Sequence, residues 1–221
     1  MLPPRTTNYG GDGTYGAAAA RWITGRTKDG HGGILFAQGY GRHDLTTYSV
    51  PRCREYGRDG VPSDLLPEAA KLRSLGCVQV TTWEELCASL ETGRPVVLCS
   101  TVGYGGTTVR DADGFLPRGS SWAHAMTVLA VRHAKNAVAG VTQRPRDGAL
   151  IVNSWSPRWA TGAKFPPDQP DGSFWAERRH VEAAMAQGDS FAVAGVVPLD
   201  QYRPVNHHQW LGDAAGLAIG F

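Results

Sequence analysis

The fold is decided by two stretches of the sequence, AHAMTVLAVR (residues 123–132) and ALIVNSW (residues 149–155). Each is a short apolar run rich in Val, Ile, Leu or Ala, and runs of this length and composition are typical of strands buried on one or both faces. PVVLCS (residues 95–100) and FAVAGVVP (residues 191–198) have the same character. The second half of the chain therefore predicts a sheet.

Helical patterns are concentrated before these runs. Alanines, Ser63 as an N-cap candidate, and the capping-box pair Thr82 and Glu85 mark three helices in the first part of the chain, and one more helix follows later. The four predicted helices are TYGAAAARWITG (14–25), PSDLLPEAAKLRS (62–74), TTWEELCASLETG (81–93) and FWAERRHVEAAMAQG (174–188). Helices that precede a strand-rich half predict an α+β fold with two lobes.

A histidine and an asparagine stand at the polar ends of the two deciding stretches. His124 opens the first strand and Asn153 follows the second, with Trp155 and Trp159 close behind. An Asn carbonyl can fix the tautomer of a histidine, so that the other ring nitrogen serves as a general base. Nearby tryptophans would shield that hydrogen bond from water. The pair is predicted to carry the chemistry of the site.

The segments HAMTVLAV and IVNSW resemble the His and Asn segments of papain-like cysteine peptidases. RPVVLCSTVGYGG is similar to the strand before the His loop, and the segment from DGSFW to FAVAG is similar to the closing portion of phage and bacterial relatives. The resemblance implies a helical N-terminal lobe (residues 1–93), an antiparallel β lobe (residues 94–205) and a cleft between them, followed by an apolar tail (residues 206–221).

The resemblance also implies a nucleophilic Cys at the start of the first long helix, and this sequence has none there. In one register, NYGGDG places Asn8 at the oxyanion-binding Gln, keeps Asp12 in place, and puts Gly13 at the Cys. In the other register Asp12 takes the Gln position and Ala18 the Cys position. The first register is favoured because it keeps an amide donor at Asn8 and lets the helix start directly after the site.

Without the thiol, no thioester acyl-enzyme can form at this position. The chain is therefore predicted to be an inactive pseudopeptidase with a binding or structural role, and virion assembly is one such role. The alternative is a cysteine peptidase or amide hydrolase represented by an inactivated Cys-to-Gly or Cys-to-Ala form. Under either hypothesis the expected partner is an extended peptide or protein in the inter-lobe cleft, with a multi-subunit or virion contact through the tail.

Composition excludes several other classes. The net charge is +2 with scattered Lys and Arg, which argues against nucleic acid as a partner. No apolar run approaches the roughly 18–20 residues that span a bilayer, and the N-terminus lacks the pattern of a signal peptide, so we expect no membrane partner and a cytoplasmic or virion-associated protein.

The four cysteines have no CxxC spacing, so we expect reduced thiols, no metal and no cofactor. Cys53 is predicted in a polar loop, Cys77 just before a strand, Cys87 in a helix and Cys99 in a buried strand, so none is placed to replace the missing nucleophile. The D-x-D-G fragment in RDADGF (residues 110–115) is predicted to be a turn, because the downstream carboxylate of a calcium loop is missing.

Overall fold

A computed structural model of the chain describes residues 14–136 and 142–197, the last two by their backbone alone. The helices are α1 (Gly16–Ile23), α2 (Val50–Asp59), α3 (Leu66–Ala70), α4 (Trp83–Glu91) and α5 (Arg178–Met185). The strands are β1 (Gly39–Tyr40), β2 (His43–Asp44), β3 (Arg73–Ser74), β4 (Cys77–Gln79), β5 (Val96–Ser100), β6 (Val109–Arg110), β7 (His124–Arg132), β8 (Gly148–Val152), β9 (Thr161–Gly162), β10 (Ser173–Glu177), β11 (Phe191–Val193) and β12 (Val196–Val197). This mixture of helices and antiparallel sheet is the predicted α+β class.

The largest sheet has six strands in the order β10-β8-β7-β5-β11-β4. The pairs β10–β8, β8–β7, β7–β5 and β5–β11 are antiparallel. Because β7 runs between β5 and β8 in the opposite direction to both, the start of β7 lies beside the ends of its two neighbours. The fold therefore brings His124, Ser100 and the residue after Val152 to the same end of the sheet.

The two faces of this sheet bury different side chains. Side chains alternate along each strand, so Leu98, Met126 and Ile151 lie on one face and pack with residues of α4 and α5 in the main core. Leu150 and Trp175 lie on the other face in a smaller cluster with Phe115. Full burial of one such aliphatic side chain stabilises the fold by about 1.5–3 kcal/mol. These burial energies hold each strand in the register that keeps its apolar side chains on the core face.

Helix α4 begins as the sequence predicts. The Thr82 hydroxyl accepts from the backbone N–H of Glu85, and the Glu85 carboxylate accepts from the backbone N–H of Thr82, which is a complete capping box. Trp83 and Leu86 are buried against the sheet.

One predicted element is wrong in type over part of its length, and a second is divided in two. Residues 174–177 of the predicted helix 174–188 belong to β10, since Phe174 pairs with Ile151 and Trp175 with Leu150, and α5 begins only at Arg178. The run at 191–198 is two strands, β11 and β12, rather than one. Pairing with neighbouring strands overrides the local pattern in both cases.

The segment around residues 50–74 also differs from the prediction. Ser63 caps no helix: it lies in a 3-10 turn (Ser63–Leu65) that leads into α3, and no side-chain cap hydrogen bond forms there. Helix α2 was not predicted, because it buries no residue and so has no apolar periodicity, although Ser49 caps it through the backbone N–H of Arg52. Cys53 therefore lies in a helix and not in a loop.

The described residues form two compact units, 14–78 with 193–197, and 79–136 with 142–192. Helix α4 packs on the sheet and belongs to the second of these units. The lobe boundaries predicted from the sequence, at residues 93 and 205, stay predictions. The tail 206–221 lies outside the described residues. No helix in the described part of the chain is long and apolar enough to cross a membrane.

Candidate functional site

The His124 and Asn153 side chains contact each other at the end of the main sheet. Asn153 Oδ1 lies 2.9 Å from His124 Nε2. His124 is the first residue of β7 and Asn153 directly follows β8, so the contact results from the antiparallel pairing of these two strands. The expected contact within about 3.5 Å is confirmed.

This contact determines the tautomer of His124. An amide oxygen can only accept a hydrogen bond, so Nε2 carries the proton and Nδ1 of the neutral ring carries a lone pair. Asn153 is 5% exposed, and its Nδ2 has no partner among the described residues. No hydrogen bond from the described residues reaches His124 Nδ1. The geometry leaves Nδ1 able to accept a proton, which is the property required of a general base.

Three tryptophans form a cluster beside His124. The ring centroids of Trp155 and Trp122 lie 4.7 Å and 5.4 Å from that of His124, and the two indoles are 4.9 Å apart. Trp159 meets Trp155 edge-on at 5.5 Å. Trp155 is 52% exposed, so the cluster presents an aromatic surface to solvent beside the imidazole. Trp122, in the loop before β7, was not singled out from the sequence, since an isolated Trp has no pattern that assigns it to a site.

Ser100 is the second residue that sequence reasoning missed. It is the last residue of β5 and pairs directly with His124 in the register of β5 and β7. Directly opposed residues in an antiparallel pair lie on the same face, with Cβ atoms about 4.5–5.5 Å apart. The Ser100 hydroxyl oxygen accepts from the backbone N–H of Val102 at 3.2 Å. No motif marks this serine, and only the strand register reveals where it lies.

The four cysteines are all free thiols. Cys99 pairs with Ala125 in the register of β5 and β7, so its side chain lies on the face opposite to His124. Burial raises the pKa of the Cys99 thiol to about 12. Burial also raises the pKa of the Cys77 and Cys87 thiols. These three sulfurs are held in the protonated, unreactive form at neutral pH.

Most of the predicted nucleophile region lies outside the described residues, including Asn8, Asp12 and Gly13. Ala18, the alternative nucleophile position, is the third residue of α1 and is 1% exposed. The described helix begins at Gly16 with Tyr15 as N-cap. The roles predicted for these four positions stay predictions.

The RDADGF segment is a turn, as predicted. Asp111 Oδ1 accepts from the backbone N–H groups of Asp113 and Phe115, and the buried Asp113 carboxylate accepts from the backbone N–H groups of Gln143 and Arg144. These carboxylates hold two loops together. In the described residues, no group of three or more His, Cys, Asp or Glu side chains is arranged to hold a metal ion.

Comparison with solved structures finds distant structural likenesses. The chain is similar to the bromelain protease from Ananas comosus, solved in complex with the E64 inhibitor, with 14% sequence identity over 88% of this chain and 93% of that chain and a TM-score of 0.42. A likeness of this size decides neither the fold nor the function. No protein-family profile matches the chain, and no curated protein matches it.

Proposed function

We propose that this chain is a papain-like protein that keeps the His/Asn pair, lacks the thiol nucleophile, and binds an extended peptide or protein segment without cleaving it by thiol chemistry. The observation that supports this proposal is the 2.9 Å contact between His124 Nε2 and Asn153 Oδ1, at the strand ends where the sequence resemblance places them. A His whose proton is fixed by an amide carbonyl is a specific arrangement that core packing does not require.

The ligand class follows from the surface beside the pair. Trp155 is half exposed and stacked on His124, and Ser121 and Ala123 on the adjoining loop are also exposed. An aromatic surface next to an open loop suits a chain that lies extended across it, because indoles provide a large contact area at a low entropic cost. Assembly into a larger particle, with the tail 206–221 as the contact, is a further role under the same proposal.

Peptide binding is tested with an unfolded protein as the probe. Reduced, carboxymethylated α-lactalbumin is titrated into the chain and the heat of binding is recorded. Trp155→Ala is expected to weaken binding by about tenfold or more, since exposed Trp anchors commonly contribute over 1.4 kcal/mol. Val109→Ala is the matched control, because Val109 is 51% exposed in β6 of the same unit. Equal effects of the two substitutions, or no binding at all, would contradict the proposed ligand class.

The relation to thiol chemistry is tested by restoring a cysteine. The parent chain should show no thiol-dependent peptidase activity. Gly13→Cys and Ala18→Cys are compared for their rates of alkylation by iodoacetamide between pH 5 and 9, with the modified peptide identified by mass spectrometry. A papain-like site predicts that one of these thiols reacts at acidic pH much faster than free cysteine, and that His124→Ala abolishes the advantage.

The alkylation rate also separates the two hypotheses. A fast, His124-dependent thiol indicates machinery kept intact, and the chain is then an inactivated cysteine peptidase or amide hydrolase. A thiol at position 13 that reacts like free cysteine indicates that the catalytic geometry is lost and favours the binding or assembly role. The papain-like proposal fails if two results are found together. The first is that His124→Ala changes neither the alkylation rate nor its pH profile for a thiol at position 13 or 18. The second is that the lactalbumin probe does not bind.

A further inference from the structure

The geometry points to Ser100 as a hydroxyl nucleophile served by His124, so that Ser100, His124 and Asn153 form a serine-based acyl-transfer site in a chain that has no thiol there. This inference rests on the proposed function only in taking His124 and Asn153 as a base and its orienting group. It requires neither a cysteine nor any residue outside the described part of the chain.

The first step of the argument is position. Ser100 and His124 are directly opposed on neighbouring strands, on the same face of the sheet, and both are partly exposed. Asn153 follows β8 on the other side of β7. His124 therefore lies between a hydroxyl on one neighbouring strand and an amide on the other, which is the order of nucleophile, base and orienting group in a triad.

The second step is the orientation of the imidazole. The two ring nitrogens face nearly opposite sides of the ring. Nε2 is held by Asn153, so Nδ1 is the ring nitrogen that remains for a partner on the β5 side of the sheet. Ser100 Oγ and His124 Nδ1 form no hydrogen bond in the described structure, and catalytic contacts of this kind often tighten only when a substrate binds. The tautomer set by Asn153 leaves Nδ1 with a lone pair, which is what a base needs in order to take a hydroxyl proton.

The third step is an unused donor. A serine hydroxyl has one proton to donate and two lone pairs to accept with. Ser100 Oγ uses a lone pair to accept from the backbone N–H of Val102, and no acceptor for its proton is found among the described residues. By contrast, the nearby Ser121 hydroxyl donates to the backbone carbonyl of Thr101 at 2.7 Å. Of these two serines, Ser100 is therefore the one whose proton is not already donated to a backbone carbonyl.

The same surroundings restrict the substrate class. Three backbone N–H groups close to Ser100 are already used: Thr101 donates to Gln187 Oε1, Val102 to Ser100 itself, and Trp122 to the carbonyl of Thr101. None of the three remains to stabilise an oxyanion, a loss that costs about 100- to 1,000-fold in related chemistry. We therefore expect activated esters and phosphonyl fluorides to react, and unactivated amides to remain intact.

The reaction proceeds in two balanced steps. Ser100 Oγ forms a bond to the carbonyl carbon of the ester, the hydroxyl proton passes to His124 Nδ1, and the alcohol or phenol group leaves with that proton. Water then adds to the acyl-serine with His124 again taking a proton, the bond from the acyl carbon to Oγ breaks, and the proton returns to the serine. With a fluorophosphonate the first step forms a phosphorus–oxygen bond and releases fluoride, and the adduct remains for detection.

The test is labelling of the full chain with a fluorophosphonate probe, with the modified residue located by mass spectrometry. Ser100 should be labelled, Ser100→Ala should lose the label, and His124→Ala should slow labelling by about 100-fold or more, the usual contribution of a general base. Ser89→Ala is the matched control, because Ser89 is a partly exposed serine of α4 that donates to the backbone carbonyl of Glu85, and it should label like the parent chain. Absence of label at Ser100, or an equal labelling rate in His124→Ala, would overturn the inference.

A second variant guards against misfolding as the cause of a lost signal. Ser100→Cys keeps a side chain of similar size, and its thiol should be alkylated faster than free cysteine at pH 6 in a manner that depends on His124. A Ser100→Cys thiol with the reactivity of free cysteine would also overturn the inference. Failure here leaves the Gly13→Cys and lactalbumin results unchanged, so the two proposals fail separately.

Discussion

The hydrogen bond between His124 and Asn153 can be measured as a free energy. A double-mutant cycle with His124→Ala, Asn153→Ala and the double variant isolates the interaction of the two side chains. Both partners are neutral in the tautomer described, and a neutral hydrogen bond contributes about 0.5–1.5 kcal/mol net to stability. We expect a coupling free energy of about 1 kcal/mol.

The single variants alone would not give this value. Asn153→Ala removes the bond, but it also removes a buried Nδ2 that has no partner among the described residues, and burying such a group costs about 1–3 kcal/mol. The two effects on the free energy of unfolding have opposite signs and can cancel. In the cycle the Nδ2 contribution is the same in both backgrounds, so only the coupling remains.

Urea unfolding followed by far-UV circular dichroism and by tryptophan fluorescence supplies the four stabilities, and coincident transitions show that both signals report one event. His133→Ala is the control partner for Asn153→Ala. His133 lies nine residues beyond His124, about 30 Å along the strand direction, where its ring packs against Trp83. A coupling of Asn153 with His124 no larger than its coupling with His133 would refute the hydrogen-bonded pair.

Two further predictions concern the core and the thiols. Leu98→Ala should lower the free energy of unfolding in urea by about 2–5 kcal/mol, because Leu98 is fully buried in the main core. Leu75 is 60% exposed, so Leu75→Ala should change the free energy of unfolding by about 0.5 kcal/mol or less. Similar losses in the two variants would contradict the assigned core. Burial raises the pKa of Cys99 from 9.0 to about 12, so unfolded chains lose this proton first as the pH rises. The stability of the parent chain relative to Cys99→Ala should thus be constant below pH 9 and decline between pH 9 and about pH 12. A difference that does not vary with pH up to 12 would contradict the raised pKa of this partly buried thiol.

The elements that the sequence predicts well are those with local causes. Helix α4 carries its own capping box, and β5 and β7 are apolar runs long enough to indicate strands without knowledge of their partners. Once two such strands are neighbours, a polar residue at the start of one and a polar residue after the end of the other must meet if the strands are antiparallel. For that reason the contact of His124 with Asn153 was accessible from sequence.

The features that sequence reasoning missed depend on partners elsewhere in the chain. FWAE (residues 174–177) is compatible with a helix or a strand, and pairing with β8 makes it a strand. Helix α2 buries no residue, so no apolar stripe indicates it. Ser100 ends a predicted strand, and in the structure it pairs with His124 rather than with Ala125. This register depends on how β5 and β7 align with each other, which the sequence of neither strand determines alone.

That register bears on what the absence of the thiol means. Asn153 occupies Nε2, so the imidazole of His124 has only Nδ1 left for chemistry. Under the proposed function, a thiol at the predicted nucleophile position and the hydroxyl of Ser100 would compete for that nitrogen, because one lone pair accepts one proton at a time. With a thiol present, the more acidic partner would take the base and the serine would be an ordinary strand residue. If both proposals hold, a chain without that thiol leaves the lone pair to the hydroxyl of Ser100, and the base stays in use after the predicted nucleophile is lost.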